Sequence, residues 1–247
     1  MHTPTPAQLL QVWERGGEQS AAASALLLLG SCCEDHSAEA LAALPLGRRD
    51  ALLLQLRARL FGEDIDTLAS CPQCAAVVEA SFRCDDLLLP ASGAEAATPV
   101  LEHVSDAHGV RVPFRLPDSN DLLALEHCTD AGQARQLLLA RCVLAADTGA
   151  GCDVHALPPP LQSEIAQAMA QADPQADLQL AFRCPDCGHR WQPMFDIARF
   201  LWQELHAWAL HMLREVDTLA QAYHWPEADI LGLSPRRRQA YLELCAP

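Results

Sequence analysis

Apolar positions recur with helical spacing at both ends of the chain and with shorter, strand-like spacing in its middle. Near the start, Thr5 is placed to cap a helix and Pro6 suits its first position. Leu9, Leu10 and Trp13 then follow at helical intervals, and Gly16-Gly17 stop the run. Residues 21–29 are uniformly small or apolar, which predicts a buried helix. A third helix over 50–61 sets Leu53, Leu56 and Leu60 on one face and ends at Gly62. Residues 77–82 are rich in β-branched side chains and read as a strand. Residues 91–98 are small and polar, a surface loop. Residues 100–104 and 110–116 flank Ser-Asp-Ala-His-Gly and predict a hairpin, with Pro113 suited to an edge.

Helical spacing returns over 121–126, 134–145 and 161–170, with a Gly- and Pro-rich loop over 147–160. Residues 177–182 alternate as a strand with Leu178, Leu180 and Phe182 inward. Leu201, Leu205, Trp208, Met212, Val216, Leu219 and Tyr223 then recur every three or four positions, the buried stripe of a long amphipathic helix. Two short helices follow. One opens at Pro226 with Glu227 and Asp229 in its first turn, where acids suit the helix dipole. The other has Ser234 as N-cap and Pro235 at its first position. The expected fold is α+β and mostly helical. It has an N-terminal helical part (1–62), an α/β middle (63–195) with a small β-layer, and a C-terminal helical part (196–247), acting as one cooperative unit.

Composition narrows the function classes. The 247 residues are half apolar, enough to bury a real core. Net charge is −15, and all 17 basic residues are arginine. Such an acidic chain argues against broad binding to nucleic acid or anionic membrane. The longest apolar run, 21–29, is far short of the ~20 residues that span a bilayer. The N-terminal sequence lacks the charge and cleavage pattern of a secretory signal, so the 11 cysteines are expected as reduced thiols in a cytoplasmic protein.

Four of these cysteines carry the main chemical signal. Cys71-Pro-Gln-Cys74 and Cys184-Pro-Asp-Cys187 have zinc-knuckle spacing, in which a tight turn aims two sulfurs at one metal and two such turns complete a tetrathiolate. Phe82 and Phe195 each lie eleven positions after the first cysteine of their pair, and Val78 and Trp191 seven. This weak internal repeat reads as a zinc ribbon split by a long insertion, with one structural Zn2+ held by Cys71, Cys74, Cys184 and Cys187. The two pairs are therefore expected to meet in space. Gly188 follows the second pair, whereas Ala75 stands where the first would be expected to have glycine. Cys84 and His189 are the candidates for a substitute ligand. A redox Cys-x-x-Cys is the competing reading, but that chemistry places its thiol at a helix N-terminus, and neither pair opens a helix. Cys32, Cys33, Cys128, Cys142, Cys152 and Cys245 are scattered and read as core or loop thiols.

The chain has no Gly-rich phosphate loop, nucleophile elbow or His-Glu-x-x-His, and no enzymatic activity is expected. His206 and His211 fall on different faces of their helix. Asp118, Asp121 and Glu126 suit helix capping, and Arg48-Arg49 a solvated helix start or salt bridge. Arg236, Arg237 and Arg238 sit in the first turn of the last helix, where positive charge is unfavourable. They are candidates for contact with an acidic partner. The short C-terminal helices also resemble a helix-turn-helix in outline, which leaves a zinc-ribbon nucleic-acid-binding regulator as the alternative.

Several blocks occur in an order that resembles a known family: WERG (13–16), RRDALLLQLR (48–57), CPQC (71–74), FRLPDSNDL (114–122), ADPQADLQL (172–180), CPDCGHRW (184–191), FDIARFLWQELHAWA (195–209) and LAQAYHWPEADILGLSPRRRQAYLEL (219–244). Together they resemble the baseplate proteins of contractile-tailed phages, often called baseplate hub assembly chaperones, with relatives in phage-derived contractile injection systems. The resemblance implies a non-enzymatic role beside hub, spike or baseplate subunits, in the cytoplasm or within a phage-like particle, with no small-molecule substrate and no membrane. The chain departs from the family pattern at Ala75, where the first pair lacks its glycine, and at His224, where glycine is expected before Trp225.

Overall fold

The computed structural model describes residues 1–89, 100–144 and 157–245. The loop expected over 91–98, most of that over 147–160, and Cys152 lie outside the described residues. The chain divides into one unit of Met1–Asp35 with Ala198–Pro247 and another of His36–Ile197.

In the first unit, the Pro6–Gly16 helix is capped as expected. The Thr5 hydroxyl accepts from the Gln8 N–H while the Gln8 side chain accepts from the Thr5 N–H, so two donors at the helix end are satisfied reciprocally. The Ala21–Gly30 helix buries Ala25, Leu28 and Leu29 completely. The long helix, Ile197–Tyr223, places Leu201, Leu205, Ala209 and Leu219 in the core. Leu10 packs with Ala209, Met212 and Leu231, beside Trp13 and Trp208. Gly16 does more than stop a helix, since a Cβ there would stand 2.3 Å from the Trp202 ring. The long helix ends at His224, which has a φ of 57° and donates its N–H to the Ala220 carbonyl. That is the left-handed cap position usually given to glycine. Two short helices follow, Glu227–Leu231 and Pro235–Cys245, and Tyr241 meets Tyr223 and Trp225 in an aromatic cluster.

The second unit begins with a short helix, Ala38–Ala42, whose single buried leucine gave no periodic signal. The next helix, Leu46–Phe61, starts earlier than its apolar pattern suggests. Its cap position is Pro45, which has no side-chain acceptor, and the N–H of buried Gly47 is met instead by Asp173, at 2.8 Å. Arg49 is buried, and it bonds Asp50 through Nε and Nη2. At the other end, buried Arg57 donates to the carbonyls of Gly62 and Asp64 and ties the helix to the strand that follows.

Among its described residues this unit has three antiparallel hairpins: β1 (Asp64–Ser70) with β2 (Val77–Arg83), β3 (Leu101–Ser105) with β4 (Val110–Phe114), and β5 (Phe182–Arg183) with β6 (Arg190–Trp191). β1 escapes the sequence pattern because only Ile65 of its side chains is buried. The strand expected over 177–182 keeps its alternation, but its ladder is broken. Leu180 donates to the Pro193 carbonyl, and Pro193 has no N–H to return. The β3–β4 hairpin packs Val112 and Phe114 against Leu139 and Cys142 of the Ala131–Cys142 helix and Leu161, Ile165 and Met169 of the Pro159–Ala172 helix. The observed fold is α+β, mostly helical, with small two-stranded sheets.

Asp121 organises the Ser119–Leu125 helix. Asp118 caps it as the sequence suggests, and Asp121 closes the capping box. Asp121 is also fully buried, where it accepts from both Nη atoms of Arg115 at 2.6 and 2.7 Å and from Nε of Arg141 at 2.7 Å. Burial alone would raise its pKa, but the hydrogen bonds from Arg115, the Asp118 backbone and Arg141 hold it at about 2. Asp50 shifts the opposite way, to about 6, because burial outweighs Arg49, and Asp196 and Asp173 add repulsion.

The two groups give opposite pH slopes. Protonation of Asp50 as pH falls through about 6 favours the fold. Asp121 contributes stability above its ordinary value of 3.8 and loses it as pH falls through about 2. Asp121→Asn should cost about 3 kcal/mol at neutral pH, because it leaves two arginines short of their partner. It should also flatten the decline below about pH 4, measured by urea unfolding across pH.

Candidate metal centre

Both knuckles sit at hairpin tips, and the two tips share one backbone design. Cys71 donates its N–H to the Ala76 carbonyl at 2.8 Å, and Cys184 donates to the His189 carbonyl at 2.8 Å. Ala75 returns a hydrogen bond to the Cys71 carbonyl, and Gly188 to that of Cys184. The fifth residue of each knuckle turns into the left-handed region, with φ 61° at Ala75 and 74° at Gly188. An L-alanine pays a steric penalty there that glycine avoids. The repeat also extends beyond the turns: Phe82 and Phe195 meet edge to face with centroids 5.6 Å apart.

The four sulfurs converge. Cys71 and Cys187 Sγ are 3.7 Å apart, Cys74 and Cys184 Sγ 3.5 Å, and all four lie within 4.8 Å of one another. A tetrahedral zinc with bonds of ~2.3 Å needs sulfur separations of roughly 3.8 Å, so the donor set fits such an ion. Cys71 and Cys184 are buried, while Cys74 and Cys187 are exposed. Burial opposes ionisation of Cys71, but hydrogen bonds from the Cys74 and Gln73 backbone and the neighbouring thiols lower its pKa to about 7. For Cys74, the Ala76 N–H favours the thiolate, yet the neighbouring sulfurs of Cys187 and Cys184 push it up to about 12. Four thiols this close suit a bound cation.

The other sequence candidates separate from this centre. Cys84 is buried against Arg57, and His189 lies against Trp191. Among the described residues only the four knuckle cysteines group closely enough for a metal. His206 accepts from Trp13 Nε1, and His211 faces Glu215. The three C-terminal arginines divide: Arg238 is buried and bonded to Glu215 at 2.5 Å, while Arg236 and Arg237 are exposed. Unread in the sequence is a polar group on the β3–β4 hairpin, where His103 and His108 face Glu164 at 3.1 and 3.8 Å. The two histidines lie five residues apart, but their common partner Glu164 is distant in sequence and no motif joins them.

The strained turn gives a direct test. Ala75→Gly should leave the sulfur geometry intact and stabilise the protein by up to about 1 kcal/mol, read as a rise in the denaturant midpoint.

Neither the curated proteins nor the solved structures contain a match to the chain. A protein family does. The matched stretch, residues 7–151, takes in the helices of both units up to the first knuckle, that knuckle and the β3–β4 hairpin, and ends before the second knuckle. It spans more than half of the 247 residues, and on that basis the chain belongs to the T4 bacteriophage base plate protein family.

Proposed function

We propose that this protein takes part in building a phage-like baseplate without catalysing a reaction, as an assembly chaperone or a resident subunit that binds hub, spike or other baseplate proteins. Its setting is the cytoplasm of the producing cell and the phage particle or contractile injection apparatus assembled there. The family membership carries this reading. No helix among the described residues is long and apolar enough to cross a membrane. Comparison of finished particles with assembly intermediates by mass spectrometry distinguishes the two roles: a subunit persists in the particle and a chaperone does not.

The same reading assigns a structural zinc ion to Cys71, Cys74, Cys184 and Cys187, supported by the convergence of their sulfurs. Zinc there would be coordinatively closed and would supply folding energy. One zinc per chain is expected by elemental analysis of protein purified without added metal. Cys184→Ser should lose metal and solubility together, since the site's binding energy is folding energy. Full stability in chelator, with no zinc bound, would refute the assignment.

Docking is assigned to the exposed Arg236 and Arg237, whose guanidinium groups suit carboxylates of a partner. Arg236→Ala with Arg237→Ala should leave the protein folded and weaken its co-purification with a baseplate protein, most visibly at low salt. Arg238→Ala should instead destabilise the chain, because it removes the buried guanidinium that Glu215 pairs with.

A further inference from the structure

The two knuckle hairpins share a backbone but turn opposite chemistry to solvent. Their inner faces meet through Phe82 and Phe195, which leaves each outer face open. On the first hairpin, Leu68 stands directly opposite Glu79, and Ser70 opposite Val77. Leu68 and Val77 are 67% and 63% exposed. Asp66 lies on the same face, where it accepts from the Ser81 hydroxyl. Neither Asp66 nor Glu79 has a cation partner among the described residues.

On the second hairpin, the positions of Ser70 and Val77 are taken by Arg183 and Arg190. These stand directly opposite each other, both exposed. Neither has an ion pair among the described residues. Like charges at directly opposed positions destabilise a strand pair. Met194, 68% exposed, extends the face, and Asp177, bonded to Gln179, lies at its far end. In a chain of net charge −15, this is an exposed pair of arginines without ion-pair partners among the described residues, beside a bare apolar side chain. A surface that matches it, acidic and aliphatic, is present on the first hairpin of every copy.

We propose that the protein associates with itself head to tail, the outer face of the second hairpin of one copy seating on the outer face of the first hairpin of the next. Arg183 and Arg190 meet Glu79 and Asp66, and Met194 meets Leu68 and Val77. The two surfaces differ, so the contact is heterologous and passes from copy to copy into a ring or filament. This contact does not depend on the baseplate reading.

Sedimentation velocity of the full chain tests it, with two double variants. Leu68→Arg with Glu79→Arg removes the acidic face, and Arg183→Glu with Arg190→Glu removes the basic one. The unmodified protein should gain mass with concentration and return to monomer as salt rises to about 0.5 M. Each variant alone should be monomeric. Their equimolar mixture should associate again, because the intact basic face of the first variant meets the intact acidic face of the second and the two reversed faces are also complementary in charge. Circular dichroism and metal content establish that the variants are folded. If either is not, Glu79→Gln and Arg183→Gln with Arg190→Gln are the milder replacements, and each should weaken association at least about tenfold. An unmodified protein that stays monomeric at low salt up to about 1 mM overturns the proposal. So do folded variants that associate as it does, which would leave the arginines to another protein or to the thiolates beside them.

Discussion

Four sulfurs within 4.8 Å of one another impose the strictest geometric demand in the second unit. Two of them come from each of two hairpin tips, and the intervening chain must return to bring the second tip to the first. Closing a loop of that length carries an entropic cost that grows only slowly with length. Bringing four ionisable thiols together adds electrostatic repulsion as they ionise, which shows in the upward shift at Cys74. A cation shared among the sulfurs would offset both costs most directly. The second hairpin pairs only two residues of each strand and is interrupted by Pro193, so strand pairing alone holds little of that half of the arrangement. The Phe82–Phe195 contact and the link from Arg57 to the start of β1 supply the remaining support.

Repetition of the knuckle explains a local feature that the first half tolerates at a cost. Both turns require a left-handed residue at the same place, and the second half meets that need with Gly188 while the first uses Ala75. His224 has the same backbone requirement at the end of the long helix. Both positions at which glycine is expected from the sequence therefore fall where the chain turns with positive φ. The turn shapes persist because the surrounding hydrogen bonds, from Cys71 to Ala76 and from His224 to Ala220, define them without a glycine.

Buried arginines are a second recurring device. Arg49, Arg57 and Arg238 are each nearly inaccessible, and Arg115 and Arg141 converge on the buried Asp121. A planar guanidinium can bond several acceptors at once, which suits it to link chain segments: Arg57 spans a helix end and a strand, and Arg238 reaches the long helix at Glu215. Asp173 does the converse at the N-terminus of the Leu46–Phe61 helix, supplying the cap that Pro45 cannot.

By itself the sequence determined the elements whose stability is local. Caps at Thr5, Asp118 and Ser234, the stripe of the long helix, the β3–β4 hairpin and the pairing of the two knuckles follow from spacing and side-chain chemistry within a few residues. The four-cysteine site was legible for the same reason, because each half is a local turn and a tetrathiolate needs two of them. Tertiary structure decided what depends on distant partners. β1 exists because β2 pairs with it, the Leu46–Phe61 helix starts early because Asp173 meets its N-terminus, and Arg238 is interior because Glu215 receives it. The opposed outer faces of the two hairpins belong to the same category. Whether a residue faces its neighbour or the solvent is fixed by register and packing, and an isolated stretch of sequence does not carry that information.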